Sequence, residues 1–277
     1  MTVKLDKIGL WSEIKLDIIK KYAIAYVNIM KTQSRWCKGF VYIDAFAGAG
    51  KHISKHTGKM VSGSPLNALE VNPPFTEYHF IDLDKERADV FKDIEKENPN
   101  VHAYCGDCNE ILVNDIFPNL PYESFKRALC LLDPYGLHLK WETIKFAAEI
   151  KTIDLFINFP TMDINRNILR RDLSKVKPDD IERMNAFWGS EDWKSLMYIE
   201  MKTLFGDTQE TRIKDYQVLA DNFCERLKQG GFDYVAKPLL MRNKINGPLY
   251  HLCFATQNAA AKNIVKDIFN RSTKITK

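Results

Sequence analysis

Five short apolar runs recur along the first part of this chain, separated by stretches whose apolar positions repeat at helical spacing. Phe40–Asp44, Tyr78–Asp82, Val101–Tyr104, Ala128–Leu132 and Ile153–Asn158 each read as a buried strand, and 64–71, 84–97, 108–116 and 140–150 as helices between them. Such alternation predicts βαβ units and a parallel sheet flanked by helices. Right-handed crossovers put the carboxyl ends of all five strands on one rim, where open α/β sheets bind ligands. Ahead of them, residues 8–31 carry Leu10, Ile14, Leu16, Ile18, Ile19, Tyr22, Ala25 and Tyr26 at helical spacing, which predicts a leading helix over the sheet. After the fifth strand the alternation stops. Residues 160–229 read as helical, with Trp188, Trp193, Phe205 and Tyr216 as anchors. Tyr234–Leu240 and Leu249–Ala255 then read as two strands joined through Asn246-Gly247-Pro248, an antiparallel hairpin, before a final helix at 257–270.

The chain has 277 residues, 45% apolar and 27% charged, the balance of an ordinary globular protein rather than a disordered or collagen-like one. Length alone allows two domains or one large one; with no low-complexity linker, the expectation is a single domain, 1–277, carrying 160–229 as an insertion. No apolar run approaches about 18 residues, so no membrane partner is expected. The start, Met1-Thr-Val-Lys-Leu-Asp6, lacks the apolar region of a signal peptide, and a cytoplasmic location is expected. Lys and Arg number 40 against 36 Asp and Glu, a net charge of +4 that permits a nucleic-acid partner without arguing for one. Of the six cysteines only Cys105 and Cys108 are close, and no second ligand pair accompanies them, so no metal is expected.

Five parallel strands closed by an antiparallel hairpin resemble the class I S-adenosylmethionine (SAM)-dependent methyltransferases. The resemblance implies an α/β, Rossmann-like fold with a mostly parallel seven-stranded sheet, and the helical insertion lying over the active-site rim.

The first strand ends in Asp44-Ala-Phe46-Ala-Gly48-Ala-Gly50. Two glycines two apart allow a sharp turn and close approach to a ligand. The third glycine of the dinucleotide fingerprint is missing, Ile53 standing in its place, and Lys51 is followed by His52 rather than by the Ser or Thr of a P-loop. The acidic Asp-x-Phe-x-Gly-x-Gly form suits an amino-acid ammonium. Asp82 ends the second strand, where a carboxylate accepts both hydroxyls of a ribose. Asp84 competes for that role but reads better as a helix N-cap. Asp107 follows the third strand; in the methyltransferase fold that place faces the adenine, and an N-cap role can coexist with it. Leu132-Asp133-Pro134-Tyr135-Gly136 ends the fourth strand. Proline cannot continue a central strand, so the chain turns where a substrate would sit. Asp133 and the Pro134 carbonyl offer acceptors to an amine, and the Tyr135 ring a face for a base.

These stretches, together with Tyr42–His52, Gly63–Leu69, Asp154–Pro160, Asn165-Arg166-Asn167 and Tyr250–Ala255, resemble the three-Cys-motif partner family of bacterial proteins, commonly encoded beside a three-cysteine protein. That resemblance implies SAM as cofactor and a separate three-cysteine protein as partner. The first motif is also similar to that of an adenine-N6 methyltransferase acting on large-subunit ribosomal RNA. Adenine-N6 enzymes carry Asp/Asn-Pro-Pro-Tyr/Phe; Asp133-Pro134-Tyr135 lacks the second proline, and its ring comes one position early.

Basic residues flank the expected mouth: Lys51, His52, Lys55, His56 and Lys59 in one loop, and Arg166, Arg170, Arg171, Lys175 and Lys177 at the start of the insertion. Such groups neutralise phosphates. The leading expectation is an enzyme, a SAM-dependent methyltransferase acting on a nucleobase amine in RNA or DNA. The alternative is a SAM- or nucleotide-binding module without turnover that works with the three-cysteine protein. A dehydrogenase fits poorly, because of the missing glycine and the closing hairpin.

Overall fold

The computed structural model describes residues 4–202, 208–213, 215–243 and 245–274. In chain order, β1 (Asp6–Ile8) leads into α1 (Leu10–Thr32), β2 (Gly39–Asp44), β3 (Lys51–Ser54), β4 (Met60–Ser62), α2 (Ser64–Leu69), β5 (Glu77–Asp82) and α3 (Lys85–Glu97). There follow β6 (Val101–Cys105), α4 (Cys108–Ile111), β7 (Lys126–Leu132), α5 (Trp141–Ile150) and β8 (Ile153–Phe159). The last part holds α6 (Thr161–Asp163), α7 (Pro178–Trp188), α8 (Trp193–Met197), β9 (Tyr198–Lys202), β10 (Thr208–Arg212) and α9 (Tyr216–Gln229). It closes with β11 (Tyr234–Val235), β12 (Leu239–Arg242), β13 (Pro248–Thr256) and α10 (Ala259–Lys274).

The main sheet runs β11-β13-β8-β7-β2-β5-β6, with β12 also on β13. β6, β5, β2, β7 and β8 are parallel, as the strand–helix alternation predicts. β13 is antiparallel to β8, and β11 and β12 are antiparallel to β13. The sheet is therefore mixed and eight-stranded, not seven-stranded. The expected strand Tyr234–Leu240 is broken between Val235 and Leu239, across Ala236-Lys237-Pro238, and both pieces pair with β13. Pro238 has no N–H to give a ladder, which explains a break on an edge.

Two further expectations need correction. The segment 160–229 is not wholly helical: β9 and β10 pair as an antiparallel hairpin, Tyr198 opposite Arg212. Tyr198, Ile199, Thr208 and Thr211 are strand formers whose preference the helical reading overlooked. Phe205, expected as an anchor, lies outside the described residues. The basic segment 51–59 is not simply a loop. β3 pairs with β4 antiparallel and with β1 parallel, in a small separate sheet.

Each face of the main sheet has its own core. On one, α1 buries Ile18, Ile19, Tyr22 and Tyr26, four positions on one helical stripe. Tyr22 packs edge-on against Phe254 and Phe156 at 4.9 and 5.4 Å between ring centres. On the other, Phe223 of α9 stacks on Phe187 of α7 at 5.3 Å, against Phe159 of β8. Trp188 and Trp193 are buried here as anchors, and their indole N–H groups donate to Asp192 at 2.5 Å and Asn185 at 2.8 Å. Each such aromatic contributes about 1.5–3 kcal/mol by burial alone. This packing holds the segment after β8 against the carboxyl end of the sheet. No helix among the described residues is long and apolar enough to cross a membrane.

Candidate functional site

The carboxyl ends of β2, β5, β6 and β7 open into a cleft of about 290 Å³. Phe46, Asp82, Leu83, Gly106, Asp107 and Tyr135 line it. Leu83 and Tyr135 are 77% and 74% exposed, an unusual display of apolar surface that leaves a face free for a planar ligand.

Two of the lining carboxylates also build the cleft. Asp82 accepts the Gly48 N–H at 2.8 Å on Oδ2 and the Asp84 N–H at 2.9 Å on Oδ1. It thereby ties the glycine loop after β2 to the end of β5. Asp107 caps α4, accepting the Asn109 N–H at 2.7 Å, and still lines the cleft. Asp84 does not line it: its carboxylate accepts the N–H groups of Glu86 and Arg87 at 2.8 and 3.3 Å as the cap of α3. Gly48 and Gly50 sit at φ +65° and +72°, where side chains are strained. A Cβ at Gly48 would meet nothing within 4 Å, but the residue is buried and is not among those lining the cleft. Gly50 serves packing: a Cβ there would stand 3.2 Å from the Phe91 ring.

Asp44 is fully buried and is not among the residues lining the cleft. It accepts the Phe46 N–H at 3.3 Å and bears on the shape of the loop from beneath. Burial pushes its carboxyl up to about 7; the Ser64 hydroxyl and the Phe46 N–H oppose the rise, and the charge of Asp133 adds to it.

Beside the cleft lies a polar cluster that the sequence reading did not assemble. Lys15 of α1, 8% exposed, is paired with Asp133. Burial alone would lower the lysine's pKa, but the charge of Asp133 and the neighbouring Tyr250 raise it above its usual value. Asn158 of β8 donates through Nδ2 to Asp133 Oδ1 at 2.8 Å and to the Pro134 carbonyl at 3.3 Å. Pro134 is thus buried with its carbonyl already accepting, whereas an exposed carbonyl was expected. Two acceptors near this turn are buried with no hydrogen-bond partner, Asn158 Oδ1 and Asp163 Oδ2; a Cβ on Gly136 would be 3.1 Å from the latter. Tyr135 donates to Asp6 at 3.3 Å, and Asp6 pairs with Arg87, so β1 steadies the ring at the mouth.

A signal for Lys15 was present. Positions 15, 18, 19, 22 and 26 form one helical stripe, and a lysine among Ile18, Ile19, Tyr22 and Tyr26 demands a buried partner. Asn158 likewise interrupts the apolar run of β8.

Of the basic candidates, His52 is part-buried near the Lys15–Asp133 pair, its pKa lowered by burial. Lys51, Arg166 and Arg170 are exposed. The two arginines follow β8 on the segment whose Asp163 abuts Gly136, and nearby Arg212 donates to Asn165 at 2.7 Å and to the Leu169 carbonyl. Cys108 lines the cleft as a thiol pushed up to about 12, chiefly by burial, and so stays protonated. Among the described residues no group of three or more His, Cys, Asp or Glu is placed to hold a metal.

No family model matches this chain, and no curated protein matches it. Solved structures similar to it include a Legionella pneumophila protein, 13% identical, aligned over 91% of each chain with a TM-score of 0.46. A S-adenosylmethionine-dependent methyltransferase from Clostridium acetobutylicum is 11% identical over 86% of this chain and 92% of its own, TM-score 0.37. Another from Mesorhizobium loti is 11% identical over 82% and 95%, TM-score 0.36.

Proposed function

We propose that this chain is a SAM-dependent methyltransferase acting on an amine of a nucleobase in RNA or DNA. The observation that carries the reading is the cleft itself: two carboxylates, Asp82 and Asp107, stand on adjacent strand ends beside exposed Leu83. A nucleoside needs acceptors for its ribose hydroxyls and its exocyclic amine, and an apolar face for its base. In this reading Asp82 takes the ribose, Asp107 the adenine amine, and Phe46 with Gly48 and Gly50 the remainder, while Asp44 shapes the loop. The order of the five parallel strands, with an antiparallel strand beside β8, accords with a class I methyltransferase domain carrying 160–229 as its insertion.

Bound SAM supplies an electrophilic methyl group. The chain's part is to hold the acceptor in line and free its lone pair. The unspent acceptors Asn158 Oδ1 and Asp163 Oδ2 beside Asp133-Pro134-Tyr135 suit a substrate that donates N–H, as an amine does. Tyr135 offers the base a ring; Lys51, Arg166 and Arg170 offer charge to its phosphates, and His52 a polar ring.

One observation favours the second reading, a SAM- or nucleotide-binding module that works with a three-cysteine protein. Asp133 is already neutralised by Lys15, and the Pro134 carbonyl already accepts from Asn158. Calorimetry with SAM and with NAD, followed by an assay of S-adenosylhomocysteine release with RNA or DNA, separates the two. SAM binding with release supports the enzyme, binding without release the module. Binding of NAD in place of SAM overturns the methyltransferase reading. In the enzyme, Asp133→Asn should lower turnover by about 10²–10³ while SAM affinity stays within a few-fold.

A further inference from the structure

We propose a second ligand site, at the opposite, amino-terminal end of the sheet, for a small molecule bearing a carboxylate or phosphate group. A cavity of about 410 Å³ lies there between α1, the starts of β7 and β8, and the start of α10. That volume suits a small ligand. Tyr26, Asp154, Arg127 and Lys151 line it, with Trp36 and Tyr122 among its walls. Arg127 stands five residues before Leu132 at the rim, so the two sites are about 16 Å apart along β7.

The polar groups of this cavity are unbalanced in one direction. Its acceptors are spent. Asp154 accepts the hydroxyls of Tyr22, at 2.5 Å, and Thr256. Gln33 Oε1 accepts the Trp36 indole N–H at 2.9 Å, and Asn258 Oδ1 the Ala260 N–H at 2.8 Å. Its donors are not. The hydroxyl of Tyr26, a residue 3% exposed, is buried with no hydrogen-bond partner, within electrostatic reach of both Asp154 and Arg127. A donor left so costs stability unless something answers it. Among the described residues no ion pair involves Arg127 or Lys151. The amino end of α10, sixteen residues long, adds positive potential at the same wall.

Arg127 is held as a recognition group would be. Its guanidinium lies 4.9 Å from the centre of the Trp36 ring and 4.7 Å from that of Tyr122. One of its N–H groups is committed to the Lys126 carbonyl at 2.7 Å. Contact with the rings limits its rotamers and leaves its remaining N–H edge for a planar oxyanion. Trp36 and Tyr122, 40% and 59% exposed, offer apolar area to whatever carries the anion. Asp154 keeps its two hydroxyl donors, and burial outweighs them to push its carboxyl up to about 6, which limits the negative charge it sets against a bound anion.

The test is calorimetry on the full chain with inorganic phosphate, pyrophosphate and benzoate, against chloride at matched ionic strength. At least one probe should bind saturably, with benzoate reporting the carboxylate source and the phosphates the other. Tyr26→Phe should weaken that binding at least fivefold while the melting temperature holds or rises, because the lost hydroxyl had no partner. Arg127→Gln should weaken it at least tenfold, and Asp107→Ala, in the cleft at the other end, should leave it unchanged. Absence of saturable binding by every probe overturns the proposal. So does binding that Tyr26→Phe leaves intact, or binding that Asp107→Ala abolishes.

Discussion

Lys15 and Asp133, 118 residues apart, form a buried ion pair that fastens the first long helix to the turn after β7. Removing one partner of such a pair leaves the other charge unanswered, at a typical cost of 3–5 kcal/mol. Asp133 keeps 22% side-chain exposure and the Asn158 N–H, so the lower end applies. Lys15→Met should cost about 3 kcal/mol in urea denaturation at pH 7. A cost below about 1 kcal/mol would show that the pair contributes little.

Asp44 predicts a fall in stability with rising pH. Its folded pKa, about 7, lies above the ordinary 3.8, so between these values the folded state binds more protons than the unfolded. Its contribution is full below about pH 4 and is lost as pH rises through 7, at up to about 1.4 kcal/mol per unit. Asp44→Asn should remove that slope. Stability curves for the two proteins from pH 4 to 8 should converge at the acid end and part toward neutrality; parallel curves would refute the assignment.

His251 acts with the opposite sign. Burial pulls its pKa down to about 4, and the neutral ring bridges Thr161 at 2.6 Å and Gln217 at 3.2 Å. The unfolded chain binds the proton more readily, so this contribution is present above about pH 6.5 and is lost as pH falls toward 4. His251→Gln should flatten the stability profile in that window. A profile as steep as the parent's would assign the acid loss to other groups.

Asp82 and Asp84 should separate cleanly. Asp82→Ala removes the charged acceptor in the cleft and should weaken SAM binding by about 1.5–3 kcal/mol. Asp84→Ala should leave SAM affinity nearly intact while costing about 1 kcal/mol of stability through the lost cap of α3. Calorimetry and melting on both variants decide; a reversal of the two effects would exchange their roles.

The five parallel strands, the helices between them and the rim they share were legible in the sequence, because each is written in local periodicity. Turn chemistry placed Asp82 and Asp107 at that rim as well, since each follows the end of an apolar run. What was not legible depends on distant pairing. Pro238 and the strand formers around Tyr198 and Thr208 hinted at the break and at the β9–β10 hairpin, but which strands pair there is decided by what lies alongside. Asp44 and Asp133 looked alike in sequence, each an acid closing a strand. Only the folded chain buries Asp44 completely and sets Lys15 and Asn158 on Asp133. The physical reason is that periodicity says which face of an element turns inward, whereas burial and charge depend on what the rest of the chain puts against it.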